Sequence, residues 1–407
     1  MDILVKKVRI QDQMPLQDVG IKNGRIVAVA ADLEAEATRV IEAEGRVLIP
    51  GLIEGHLHLD KALIADRKPN RSGTLQEAIA VTAELKPTFT KEDVRERAEK
   101  TLRLAIKNGV THMRTQSEFD PAGGFTGFEV ILELKQKYKD VIDLQVVAFP
   151  QEGIMKAPGT EEMMHEAMRM GADVVGGIPY NDLSANDHID LVFEIAKKYQ
   201  KSLDFHQDFK DDIAGTSIEY LCKKTIAEGY QGKVTVGHLT SLGAFAPEKL
   251  EPILELMAKA QISVMSLPAT DLHLGGRQDT YNVRRTLTPI RALKKAGVNV
   301  CLGSNNIRNA FTPYGNGDLF QIAMLAIPAA HLGGADDLKD VLPMITTYSA
   351  KALEIRDYGL AVGNIADMVL LDTHKVIDAI IDLPDKLFVI KGGNVVVETE
   401  RCTKLNF

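Results

Sequence analysis

The stretch Val300–Asp318, VCLGSNNIRNAFTPYGNGD, starts as a short apolar strand and stops abruptly in a polar tip, Ser304, Asn305 and Asn306. Seven earlier segments share that form. In chain order they are GLIEGHLHLD, GVTHMRTQSE, IDLQVVAFPQ, GADVVGGIPY, SLDFHQD, KVTVGHLTS and ISVMSLPAT. The eight recur at intervals of about thirty residues, the length of one strand–helix unit. Between them lie helical patterns, such as Leu250, Ile253, Leu254 and Met257 at i, i+3, i+4 and i+7. Strands that alternate with helices build a parallel sheet, and eight such units close into a (β/α)8 TIM barrel. An open doubly wound sheet is the alternative. It is disfavoured because no glycine-rich dinucleotide or Walker loop is present.

The chain ends have another texture. ILVKKVRI, DVGIKNGRIVAVA and RVIEAEGRVLIP are β-rich runs broken by Asn-Gly and Glu-Gly turns, and GLAVGNIADMVLLD and LFVIKGGNVVVETE resemble them. Residues 1–50 and 361–407 are therefore expected to form one small composite β domain, with residues 51–360 as the barrel between them.

Composition narrows the function. The 407 residues are 45% hydrophobic and 26% charged, which is ordinary globular usage. A net charge of −8 with no basic run leaves no footprint for nucleic acid. No apolar run approaches the ~18 residues of a membrane helix, and the early-charged N-terminus is not a signal peptide. The three cysteines, Cys222, Cys301 and Cys402, are too scattered for a disulfide framework or zinc knuckle and suit a reducing cytoplasm.

In a (β/α)8 barrel the chemistry sits at the C-terminal strand ends. His56 and His58 end the first strand at i and i+2, on one face and about 6.6 Å apart along it, which lets two imidazoles converge on one ion. The fifth and sixth tips carry His206 and His238. Of the remaining histidines, His112 is expected to serve the core, and His165, His188 and His374 to be packing or surface residues. Hydrolysis at a metal also needs a proton acceptor. The eighth tip offers only amides, so Asp208, on the face of His206, and Glu118 and Asp60 are the candidate acids. The fourth tip, VVGGIPY, has no lysine to be carbamylated between two metals, which points to a single ion.

These motifs, with VVAFPQEGI, LHLGGRQDTYNVRR and GSNNIRNAFTPYGNGD, resemble the amidohydrolase superfamily over nearly the whole chain. Within it they resemble the cytosine deaminase branch, which includes N-isopropylammelide hydrolase. The resemblance implies a hydrolase or deaminase acting on a C–N bond of a nitrogen heterocycle or cyclic amidine. It implies one divalent metal ion, Zn2+ or Fe2+ with Mn2+ as a further option, and a homo-oligomer. His56, His58 and His206 match metal ligands. His238 matches the residue that stabilises the attacking hydroxide, and Gln151 the one that reads a pyrimidine edge. Three positions depart from the pattern. Asn305 stands where the metal-binding, proton-accepting aspartate belongs, Phe209 where a proton-shuttling glutamate belongs, and Gln116 where a histidine belongs.

An amide oxygen still coordinates a cation but accepts no proton. Asn305 thus marks either an engineered, inactivating exchange in an ordinary enzyme or a natural form with altered hydrolysis. A catalytically silent binding or sensor protein on the same scaffold is the alternative function. Phe209 and Gln116 are expected to shape a substrate site for something other than cytosine. Lys61 is either a substrate-facing cation or the partner of a nearby acid, and Arg277 is expected to anchor a loop.

Overall fold

The computed structural model describes residues 1–406. Sixteen strands fall into three sheets. The first is built by β1 (Ile3–Val8), β2 (Gln17–Lys22), β3 (Arg25–Ala30) and β4 (Arg39–Glu42), in the order β3-β2-β1-β4. The Asn23-Gly24 turn joins β2 to β3, with both residues at positive φ (53° and 76°), the left-handed backbone a tight hairpin needs. A second sheet combines β5 (Val47–Pro50) with β14 (Met368–Leu371), β15 (Lys386–Lys391) and β16 (Asn394–Glu398). The two chain ends share a core: Ile3, Val5, Val19, Ile21 and Ile41 pack with Leu48, Met368, Leu370 and Ile390. One detail departs from expectation. In GLAVGNIADMVLLD only Met368–Leu371 is strand, because the glycine-rich first half runs through turns.

The third sheet holds eight parallel strands: β6 (Leu52–Leu57), β7 (Val110–Glu118), β8 (Asp143–Phe149), β9 (Val174–Gly177), β10 (Ser202–Gln207), β11 (Val234–His238), β12 (Ser263–Ser266) and β13 (Asn299–Leu302). They follow one another in sequence order, each in one of the eight expected segments. The ring closes just beyond β13. Asn305 N–H donates to the His56 carbonyl at 2.8 Å and the Asn305 carbonyl accepts from His58 N–H at 2.9 Å. Helices wrap the outside and bury their apolar stripes against the strands, as Ile253, Leu254 and Met257 do from the helix Pro247–Ala260. The fold is thus the (β/α)8 barrel with an accompanying small β unit.

Among the described residues, no helix is long and apolar enough to cross a membrane.

Candidate metal centre

The three strand tips facing the barrel axis leave their strands through left-handed backbone. Asp208 has φ 43°, His238 φ 68°, Leu239 φ 56° and Asn305 φ 60°. Non-glycine residues adopt this region at a cost that surrounding structure must offset, and such strain gathers at functional sites. Gly237 admits the His56 ring: a Cβ there would lie 3.0 Å from His56 Cε1.

His56, His58 and His206 meet at the centre. His206 Nε2 lies 3.2 Å from His56 Nε2 and 3.1 Å from His58 Nε2. All three rings are buried. Burial first, and then neighbouring charge, holds each imidazole well below its usual pKa, so all three are neutral near pH 7. Phe149 stacks on His206, with centroids 4.1 Å apart. Beneath the triad, Glu54 accepts from the backbone N–H of His56 and Ser304 at 3.1 Å each, and burial raises its carboxyl to about 7.

His238 stands beside the triad. Its Nδ1 lies 2.6 Å from Asp271 Oδ1, and its Nε2 lies 3.4 Å from Asn305 Nδ2. A carboxylate on Nδ1 makes that nitrogen the N–H donor, leaving Nε2 with the lone pair. The Asn305 amide nitrogen faces that lone pair. Its Oδ1 is buried and has no partner. Phe209 lies flat on His238, 4.2 Å between centroids and 11° between planes.

These groups border a small cavity with about 10 Å³ of free volume, lined by His58, Lys61, Gln151, Tyr180, Phe209 and Asn306 among others. Lys61 lines the cavity and pairs with a nearby acid, Glu118. Its Nζ donates to Gln151 Oε1 at 3.1 Å and sits 4.3 Å over the Phe311 ring. Glu118 is buried, which alone would raise its pKa, but the ammonium groups of Lys61 and Lys86 bring it below the ordinary carboxylate range. Asp60 accepts from the backbone N–H of Glu118 at 2.7 Å. Burial and the adjacent Glu118 raise it to about 6.

Two expectations need correction. Asp208 does not share the face of His206. It lies past the end of β10, where its left-handed backbone breaks the alternation, and its carboxylate accepts from the backbone N–H of Ser217 and Ile218 at 3.0 and 3.1 Å. It fastens the start of the helix Ile218–Ala227. Gln116 is not at the cavity wall. It lies behind the triad, with Nε2 3.1 Å from His56 Nδ1 and 3.4 Å from Asp204 Oδ1. Asp204 in turn binds Arg114 Nη1 at 3.0 Å.

Other expected residues fall where read. Arg277 anchors its loop by donating from Nε to the His273 carbonyl at 2.8 Å. His112 packs low on β7. His188 is more than a packing residue: it is fully buried, accepts from Ile178 N–H at 2.9 Å and pairs with Asp182 at 2.6 Å. Asp271, Tyr180 and Phe311 escaped the sequence reading. Asp271 immediately follows the quoted ISVMSLPAT, but an acid in a short helix carries no signal of its own. Tyr180 ends the fourth tip, where only a missing lysine drew notice.

The amidohydrolase family model matches residues 63–397. This chain belongs to the amidohydrolase family. A solved 5-methylcytosine deaminase from Klebsiella pneumoniae, liganded with 5-fluorocytosine, superposes with a TM-score of 0.95 at 33% identity, covering 99% of each chain. N-isopropylammelide isopropyl amidohydrolase from Pseudomonas sp. (strain ADP) is 29% identical over 98% of both chains. The structure of N-isopropylammelide isopropylaminohydrolase from Burkholderia multivorans superposes with a TM-score of 0.86 at 28% identity, covering 97% of this chain and 98% of that one. The resemblance to the cytosine deaminase-like branch holds.

Proposed function

We propose that this amidohydrolase binds one divalent metal ion and cleaves a C–N bond of a nitrogen heterocycle or cyclic amidine. The observation that carries the reading is the convergence of three buried, neutral imidazoles, with His206 Nε2 within 3.2 Å of both His56 Nε2 and His58 Nε2, at the edge of a small cavity. Ligands around a tetrahedral ion at 2.0–2.1 Å stand about 3.3 Å apart, so the spacing fits. Imidazole donors suit Zn2+ or Fe2+ better than Mn2+. The unpartnered Asn305 Oδ1 fits as a fourth, uncharged ligand. When bound, the ion supplies Lewis acidity, acidifying water and polarising the substrate.

The chain's own side chains do the rest. Lys61 holds Gln151 Oε1, so the Gln151 amide presents its N–H groups to an acceptor edge of the ring. Phe209 and Phe311 supply flat apolar walls. His238 Nε2 takes the proton that an aspartate at 305 would accept, and Asp271 stabilises the imidazolium that results. Asp208 and Gln116 hold the scaffold rather than the substrate. The flat apolar walls and the Gln151 amide suit a planar ring with an acceptor edge. With relatives that act on 5-methylcytosine and N-isopropylammelide, this favours oxo-substituted pyrimidines and triazines.

A second reading, a catalytically silent binding protein, draws on one observation: no carboxylate lines the cavity. The experiment that separates the two compares the protein with Asn305→Asp for bound metal and for ammonia or amine release from cytosine, 5-methylcytosine and N-isopropylammelide. We expect N305D to raise kcat/KM by roughly 100-fold or more, the usual worth of a placed base. Full metal occupancy with no turnover by either protein supports the silent reading. No bound metal in either sinks the metal reading.

A further inference from the structure

The cavity has a roof. The helix Leu75–Leu85 sets Ala78 and Val81 against Phe209, Leu274, Ala310 and Phe311, and Leu75 touches the cavity itself. About 10 Å³ of free volume is too small for a ring, so a ring-sized ligand needs a wall of the cavity to yield, and this helix is one of those walls. The helix ends on Lys86, whose side chain turns inward. Lys86 Nζ lies 2.7 Å from Asp120 Oδ2, 2.9 Å from Glu152 Oε1 and 3.2 Å from Glu118 Oε2. The other Glu118 oxygen, Oε1, is bound by Lys61 and lies 3.6 Å from His58 Nδ1.

One buried carboxylate therefore pairs with the roof through Lys86 and with the cavity wall through Lys61, and stands next to the otherwise unpartnered Nδ1 of His58, 3.6 Å away and a small rotation from a hydrogen bond. A ligand histidine depends on the group beside its second nitrogen for ring orientation and basicity. A carboxylate bound by two cations has little freedom to turn. With the roof lifted, Lys86 leaves, and Glu118 is held by Lys61 alone, free to turn about that single tether and shift Oε1 relative to His58.

We propose that Lys86 is a positioning residue that couples closure of the roof helix to the order of the metal site through Glu118. The inference rests on the metal reading of His56, His58 and His206. It makes substrate enclosure and metal affinity two readouts of one event.

The test measures zinc affinity by chelator competition and roof exposure by limited proteolysis of residues 63–90, on the wild type, K86M, K86R and E152Q. K86M should bind zinc about tenfold more weakly, as loss of an outer partner does, and be cut faster in the roof. K86R should recover most of both. E152Q keeps the Lys86–Glu118 contact and should stay within a few-fold of wild type. Unchanged zinc affinity in K86M, with the roof cut freely, overturns the coupling. So does weakened zinc with an intact roof. A variant-free arm guards against misfolding: zinc added to the metal-free wild type should slow amide exchange in Leu75–Leu85, and no slowing also overturns the proposal. Should wild type and His56→Ala bind zinc equally, the metal reading itself has failed, a different outcome from a wild-type-like K86M.

Discussion

Two clusters of metal-ligating type lie at opposite ends of the barrel, one buried and one with the exposed Asp143, and they are not equivalent. At the C-terminal end are His56, His58 and His206. At the N-terminal end His112 meets Asp143 and Asp367, with His112 Nε2 3.2 and 3.6 Å from their oxygens. Distance alone would allow either to hold an ion. The lower cluster, however, already contains a cation: Lys391 Nζ lies 2.6 Å from Asp143 and 2.7 Å from Asp367. It is a salt-bridged clasp between the barrel and β15. The upper cluster has lone pairs, no balancing ammonium on its inner nitrogens, and two histidine Nδ1 atoms without partners. What separates a metal site from a structural knot here is which positive charge the donors already serve.

The sharpest way to break that comparison is His206→Ala. Metal content, by elemental analysis of the purified protein, should fall from about one equivalent to near none, since two imidazoles rarely retain the ion. His112→Ala should leave it unchanged. Equal metal in both variants would erase the distinction. A smaller effect is expected at the other end. Lys391→Met strands the buried Asp367 carboxylate without its partner, and urea unfolding should show a loss of about 3 kcal/mol with metal content intact. A second equivalent of zinc in that variant would sharpen the point, because Lys391 would then be all that keeps an ion out.

The smallest effect is in protons. Three ordinary histidines at pH 6.0 would carry about two protons between them, and an ion would displace these. Burial has lowered the pKa of His56, His58 and His206, so at pH 6.0 they hold fewer protons than ordinary histidines do. Zinc uptake followed by calorimetry in buffers of differing ionisation enthalpy should thus release well under two protons. Release of two or more would show that the upper rings are ordinary.

The barrel was legible because each strand is a short apolar run with a polar end, a pattern that the two-residue period of a strand and its burial on both faces impose. The triad was legible for the same reason: His56, His58, His206 and His238 lie at or near the ends of their strands. Reading failed one step past those ends. Asp208 follows the last residue of β10, where a positive φ swings the side chain to the helix start, and alternation no longer predicts direction. Gln116 stays within β7, yet its amide is spent on His56 and Asp204, neighbours brought together only by barrel closure. Asp271 and Lys86 act from helix ends, where an acid or a lysine is too common to stand out.

The seam of the barrel sets terms for position 305. Its main chain does the fastening, with one hydrogen bond to His56 and one from His58, and it does so at φ 60°. Few side chains accept that backbone conformation, and Asn and Asp are the polar pair that do so most readily. The position works as a socket that accepts two fittings of one shape. Exchanging them changes a charge at the centre of the site while the main-chain seam that shuts the barrel needs neither side chain, so the charge beside the three imidazoles is set independently of the fold.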